Sequence, residues 1–287
     1  MGAVTTVYRP NKLAAVVASV KRKLIHFCVK QLKNRGEYPK FWVTPYDVIC
    51  REILENGFYE RELLQAMQYL AKGKRGIAID IGANIGNHTI FFSKIFPQVI
   101  ACEPVPRNCW ILKANLHLNR INNVTLVEKG LGEKPGFLPL VTDDPENTNH
   151  GFGFEPIESI QASGNLCQVE IVRGDDELES LGVESEIAII KIDVEGFEPQ
   201  VLQGLEKTIL KHHPIIFWEA FTHETANTSV EILQAIGYKH FYHITTNKFD
   251  NRLANKLSHL LGKAAYLIPL DECKNLDGMN VAMMNAV

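Results

Sequence analysis

Five short runs of nearly unbroken Ile, Val, Ala and Leu, interleaved with segments of helical spacing, constrain this chain more than any other feature. They are "GIAIDIG" (76–82), "QVIACEP" (98–104), "NVTLVEKGLG" (123–132), "IAIIKIDVEG" (187–196) and "PIIFWEA" (214–220). A strand with one wet face alternates apolar and polar residues, so an unbroken run signals a strand covered on both faces. The covering helices are legible between them as "NHTIFFSKIF", "RNCWILKANLHLNR", "PQVLQGLEKTILKHH" and "SVEILQAIGY". Strand–helix–strand crossovers are right-handed. The alternation therefore predicts an α/β fold, a doubly wound and mostly parallel sheet with helices on both faces.

The C-terminal part changes rhythm. "KHFYHITT" and "GMNVAMMNAV" read as two further strands around a helix, "NRLANKLSHLLGK", and predict an antiparallel finish to the sheet. Residues 46–72 read as two helices broken at Asn56-Gly57, since a glycine just past a helical run stops it. The stretch 133–170 is rich in Gly, Asn and Pro and reads as one long irregular connection, a kind that often carries function.

Charge divides the chain again. Residues 1–40 hold nine Lys or Arg against Glu37 alone, a balance of +8, which leaves −11 for the rest of a chain whose net charge is −3. Within that arm, residues 12–34 space Leu13, Val17, Val20, Leu24, Cys28 and Leu32 as one face of a basic amphipathic helix. The expected organisation is an arm over 1–45 and a domain over 46–287, with a helical lead-in at 46–75 and a core at 76–287. The arm's apolar stripe would dock on the body, on a membrane surface or on a second copy of the chain. The acidic body gives no case for a nucleic-acid partner. The six cysteines form no CxxC pair and no apolar run reaches membrane-spanning length. A cytoplasmic protein with reduced thiols, at most peripheral to a membrane, is expected.

In open α/β sheets, ligands bind beyond the carboxyl ends of the strands. Asp80 and Asn84 follow the first strand, Glu103 the second, Asp193 and Glu195 the fourth, and Glu219 the fifth. Glu103 lies about 20 residues past a glycine turn, where a carboxylate binds the ribose hydroxyls of a nucleotide. That spacing alone leaves NAD and other adenosine cofactors open. The turn "DIGANIG" lacks the third glycine of a dinucleotide site and sets Asp80 where a phosphate would approach. A carboxylate there favours a cation, and S-adenosylmethionine joins adenosine to a sulfonium and an ammonium.

"IDIGANIGNHTIFFSK", "ACEPVPRNCWILKANLHLN", "VRGDDEL", "IIKIDVEGFEPQVLQGLEKTI" and "WEAF" follow in an order and spacing that resembles the FkbM family of S-adenosylmethionine-dependent methyltransferases. The resemblance spans roughly residues 47–220. It implies the class I methyltransferase fold, Rossmann-like and seven-stranded with the last strand antiparallel. It also implies O-methylation of hydroxyls on sugars, glycans or hydroxylated metabolites. By position, Asp80, Gly82, Ala83, Asn84 and Gly86 would surround the methionine end, Glu103 with Pro104 the ribose, and backbone at Gly130 and Leu131 the adenine. Asp193 would meet both cofactor and reaction centre, with Glu195 beside it. Gly174 stands where the family often has Leu before Asp175-Asp176, which leaves that pair without a role.

A sugar hydroxyl is a poor nucleophile, so a general base or a metal is expected. Asp193 and Glu195 share a face of an extended chain, and with Glu219 they could act as base or hold Mg²⁺. His88 is a competing base near the rim. Two other readings stand beside methyl transfer: an NAD-dependent oxidoreductase or epimerase, and a non-catalytic adaptor working through the basic N-terminal helix.

Overall fold

The structure is a computed structural model that describes residues 5–8, 17, 20, 21, 23, 58–142, 165–220, 222–246, 264–273 and 278–285. In chain order the first elements are β1 (Thr5–Tyr8), α1 (Arg61–Leu70), β2 (Ile77–Ile81), α2 (Asn87–Phe92), β3 (Gln98–Cys102), α3 (Pro106–Leu118) and β4 (Val124–Val127). Then come β5 (Gly130–Gly132), β6 (Gly136–Thr142), β7 (Asn165–Arg173), α4 (Gly174–Ser180), β8 (Ile187–Ile192), α5 (Glu198–Gly204) and α6 (Glu206–His212). The chain continues through β9 (Ile215–Ala220), α7 (His223–Ile236), β10 (His240–Thr245), β11 (Ala265–Pro269) and β12 (Gly278–Met283).

The main sheet runs β1-β11-β10-β12-β9-β8-β2-β3-β4. Its five strands from β4 to β9 are parallel, as the unbroken apolar runs require, and every residue of β2 and β8 is buried. The faces are separate cores. Ile79, Ile81, Ile190, Ile192 and Trp218 pack on one side, while Ala78, Ile189, Phe217 and Val281 pack on the other. The antiparallel finish is present, with β12 lying between β9 and β10 and running against β9. Seven strands were expected, and among the described residues nine are found in the main sheet. The expected seven are contiguous from β4 at one edge to β10, and β11 and β1 extend the sheet beyond β10. Thr5–Tyr8, assigned above to a separate arm, thereby belongs to the sheet of the main domain.

Three local readings are corrected. "NVTLVEKGLG" is two strands, β4 in the main sheet and β5 in a second sheet ordered β5-β7-β6. The stretch 133–170 is strand at both ends, where β6 and β7 pair antiparallel from Gly136 opposite Ile171 to Thr142 opposite Asn165. The helix expected at 199–213 is two, α5 and α6, meeting at Leu205. The second sheet is held tightly to the first layer. A Cβ built on Gly204 of α5 would lie 1.9 Å from the carbonyl oxygen of Gly132 in β5, so the helix touches the strand backbone.

Helix starts follow side-chain chemistry that the apolar pattern does not report. α7 begins six residues before the segment first legible as helix, because Thr222 and Thr225 form a reciprocal capping box. Of the basic helix expected at 12–34, only residues 17, 20, 21 and 23 are described. They are helical, and Val17 and Val20 are exposed. The helix expected at 251–263 and the first of the two in 46–72 lie outside the described residues. Among the described residues, no helix is long and apolar enough to cross a membrane.

Candidate active site

The two loops that follow β2 and β8 meet at the carboxyl edge of the sheet. Gly82, at φ 76°, is where they touch: a Cβ there would lie 1.8 Å from the carbonyl oxygen of Asp193. The turn is also tied to the next strand, since the N–H groups of Gly82 and Ala83 both donate to the carbonyl of Cys102. Ala83 is buried against Ala101 and Leu112, and Gly86 caps α2 with Leu112 pressed against it, so these two shape the turn.

Glu103, almost fully buried, is held from three sides. Its Oε1 accepts from the N–H of Val105 at 2.9 Å and from Nδ2 of Asn108 at 3.2 Å, and its Oε2 accepts from the N–H of Asn84 at 2.8 Å. Burial raises its pKa, and these hydrogen bonds work against that rise. One lone-pair direction of Oε2 is left over. Oδ1 of Asn84 is also buried, with no hydrogen-bond partner among the described residues. Acceptors short of donors on these two residues suit hydroxyl groups. Pro104 follows Glu103 and lies against Gly130: a Cβ built there would be 3.7 Å from that of Pro104. Gly130 and Leu131 pair with Ile171 and Val172 in the second sheet, and the Leu131 side chain enters the main core. The turn, Glu103, Pro104 and the Gly130 backbone thus form one continuous edge.

Asp80 is not part of that open edge. It was expected to face the ligand, but it is fully buried. Its Oδ2 accepts from the Thr89 hydroxyl at 2.6 Å, and its Oδ1 lies 3.3 Å from Nζ of Lys191. Lys191 is the residue that the sequence reading missed. It stands opposite Asp80 in the parallel register of β2 and β8, equally buried, and also reaches Asp193 Oδ2 at 3.1 Å and the Gly82 carbonyl at 3.0 Å. Burial alone would lower the pKa of Lys191, but Asp193 and Asp80 more than reverse this, and it stays charged. A lysine inside the run "IAIIKIDVEG" is the one residue there that a buried strand cannot tolerate unpaired, and that was the available signal.

Asp193 lies two residues beyond Lys191, and Glu219 two beyond Phe217, which pairs with Lys191 across β8 and β9. The two acids therefore point from the same face. The side chain of Asp193 is 27% exposed, so it opens where Asp80 does not. Burial works against its charge, but Lys191 and a hydrogen bond from Glu219 hold its pKa down. Glu219 is pushed up to about 10, by the charge of Asp193 first and by burial second, and keeps its proton. Glu195, half-buried at φ 53°, is pushed up to about 7 by burial and then by Asp193 and Glu198. Its loop is clamped by Glu198, whose Oε1 accepts from the N–H groups of Val194 and Gly196.

His88 is buried in the first turn of α2, and its Nε2 has no hydrogen-bond partner among the described residues. Burial, and then Lys191, push its pKa down to about 4, against the pull of Asp80 and Asp193. The expectation that Asp193, Glu195 and Glu219 hold Mg²⁺ finds no ligand set. Among the described residues no three His, Cys, Asp or Glu side chains gather as metal ligands. The physical reason is that the Lys191 ammonium already stands between Asp80 and Asp193, and Glu219 carries a proton. Trp218 is fully buried with its ring edge-on to Phe241 and belongs to the core. A cavity of about 360 Å³ lined by Tyr69, Lys72, Lys74, His213 and Met283 opens where β9 begins, at the opposite edge of the sheet from these groups.

A parallel sheet with this antiparallel finish, and acids gathered beyond its strand tips, defines a Rossmann-like class I methyltransferase fold. Residues 80–246, more than half of the chain, match the methyltransferase FkbM domain, and the chain belongs to that family. It is 28% identical over 148 residues to Methyltransferase 1 of Beauveria bassiana, covering 45% of this chain and 57% of that protein. To Methyltransferase sdnD of Sordaria araneosa it is 30% identical over 156 residues, covering 45% of this chain and 60% of that protein. The match thus spans less than two thirds of the length of these relatives. Among solved structures, methyltransferase FkbM from Methylobacillus flagellatus aligns with 68% of this chain and 44% of its own, at a TM-score of 0.43 and 19% identity. Family membership favours neither the oxidoreductase nor the adaptor reading.

Proposed function

We propose that this protein transfers a methyl group from S-adenosylmethionine to a hydroxyl of a sugar, glycan or similarly hydroxylated metabolite. The observation that carries the reading is the contact of Gly82 with Asp193, which joins an edge suited to a nucleoside to a set of carboxyl groups in graded protonation states. The Asn84 carbonyl and Glu103 Oε2 would take the ribose hydroxyls, and the Pro104–Gly130 edge would flank the adenine. S-adenosylmethionine held there would supply an electrophilic methyl carbon on a cationic sulfur, the C–S bond being exchanged for the acceptor's C–O bond with S-adenosylhomocysteine as the leaving group.

The chain's own residues then have three tasks. The turn and Glu103 orient the donor, which makes the displacement effectively intramolecular. Asp193, kept ionised by Lys191, faces the positive charge of the donor. Glu195, with a pKa near 7, is matched to take the acceptor's hydroxyl proton at neutral pH. Glu219 remains protonated and steadies Asp193. His88 is neutral at that pH and adds no charge.

Calorimetry with S-adenosylmethionine and labelled-methyl transfer to a panel of sugars, amino sugars and hydroxylated metabolites test this reading. Donor binding and labelled product are expected, with binding weakened at least tenfold by Glu103→Ala. Absence of donor binding to the wild-type chain would overturn it.

A further inference from the structure

We infer that Lys191 is the positioning residue of this site, its one ammonium fixing Asp193 against the donor turn by holding Asp80, Gly82 and Asp193 together. The inference rests on the methyltransferase reading above and adds a role that the family match does not assign. An ammonium has three N–H donors. Here it donates a hydrogen bond to the carbonyl of Gly82 in the turn at 3.0 Å and forms ion pairs with Asp80 at the end of β2 and with Asp193 in the loop after β8, at 3.3 and 3.1 Å.

All three contacts are to the protein itself, and the side chain is 1% exposed. Lys191 is therefore neither a ligand-binding lysine nor a nucleophile. Nor is it explained by stability, because a buried ion pair seldom outperforms well-packed apolar residues of similar volume. Its distinctive effect is geometric. It holds Oδ2 of Asp193 at 3.1 Å, which restricts rotation of the carboxylate. Through the Gly82 carbonyl it fixes the same carboxylate relative to the turn that would carry the donor.

A double-mutant cycle on donor affinity tests this. S-adenosylmethionine is titrated by calorimetry into wild type, Lys191→Met, Asp193→Asn and the double variant, with thermal melting recorded for each. If Lys191 acts through Asp193, each single change lowers affinity about tenfold and the double variant is no worse than Asp193→Asn alone. Losses that multiply, or an unchanged affinity in Lys191→Met, overturn the proposal. A wild type that binds no donor overturns the methyltransferase reading instead. Should Lys191→Met fail to fold through its two uncompensated aspartates, Lys191→Met combined with Asp80→Asn removes one of those charges, and the cycle is run in that background. If that variant also fails to fold, Lys191 serves the fold alone and the proposal falls.

Discussion

The backbone N–H of Asn84 donates to Oε2 of Glu103 across nineteen residues of sequence, and this bond locks the glycine turn to the tip of the neighbouring strand. The same oxygen keeps a lone pair free, and the side-chain oxygen of Asn84 has no partner among the described residues. Glu103→Gln preserves volume but turns one acceptor into a donor. It is expected to weaken S-adenosylmethionine binding tenfold or more, about 1.4 kcal/mol, with a small change in melting temperature. Calorimetry beside a melting curve separates the two effects.

Gly82→Ala should damage both fold and site. The new methyl would lie 1.8 Å from a backbone oxygen that cannot swing aside, at a φ that side chains rarely adopt. A loss of about 1–3 kcal/mol is expected in urea denaturation, together with weakened donor binding. Gly136→Ala is the matched control: its site is open, and its stability should change by no more than about 0.5 kcal/mol.

Asp175 acts at a distance as the cap of α6. Its Oδ1 accepts from the N–H and hydroxyl of Thr208, its Oδ2 accepts from the N–H of Lys207, and Arg173 pairs with it at 3.3 Å. Leu205, at the N-cap of that helix, offers no side-chain acceptor. Asp175→Ala is expected to destabilise the fold by about 1–2 kcal/mol while leaving donor affinity of the folded protein unchanged. Denaturant melts and calorimetry report the two quantities.

The pH dependence follows from Glu195, whose pKa is raised to about 7. As a base it works when deprotonated, so methyl transfer should rise with pH to a plateau above about 7, and Glu195→Gln should flatten that limb. The sign for stability is opposite. Between pH 4.5 and 7 the folded state holds a proton that the unfolded state has released, so this group's contribution falls as pH rises and levels off above 7. An activity limb that persists in Glu195→Gln would assign the base elsewhere.

Chelation should be without effect. With an ammonium between Asp80 and Asp193, the site already has its cation, and EDTA is expected to leave labelled-methyl transfer within twofold of the untreated rate. A loss restored by added Mg²⁺ would show that a metal takes part.

The parallel heart of the fold was legible because burial on both faces leaves a signature in each strand separately. Ile77–Ile81 and Ile187–Ile192 carry that signature without reference to anything else in the chain. The split of 123–132 between two sheets was not legible, because it depends on Gly132 lying bare against Gly204, seventy-two residues away. The rim acids were found by position, yet their roles were set by a neighbour. Asp80 looked like a ligand-facing carboxylate until Lys191, a strand away and opposite in register, was seen to claim it. Asp175 likewise gained a role only when Thr208 came within reach.

Because Thr5–Tyr8 pairs along β11, the outermost strand among the described residues lies more than fifty residues upstream of any other strand in this sheet. Shortening the protein from the front, a common way to remove a charged leader before expression, would strip that border and bare a row of amide and carbonyl groups on β11. Such a version invites edge-to-edge association between molecules, so a trimmed form intended for crystallisation should keep its first eight residues.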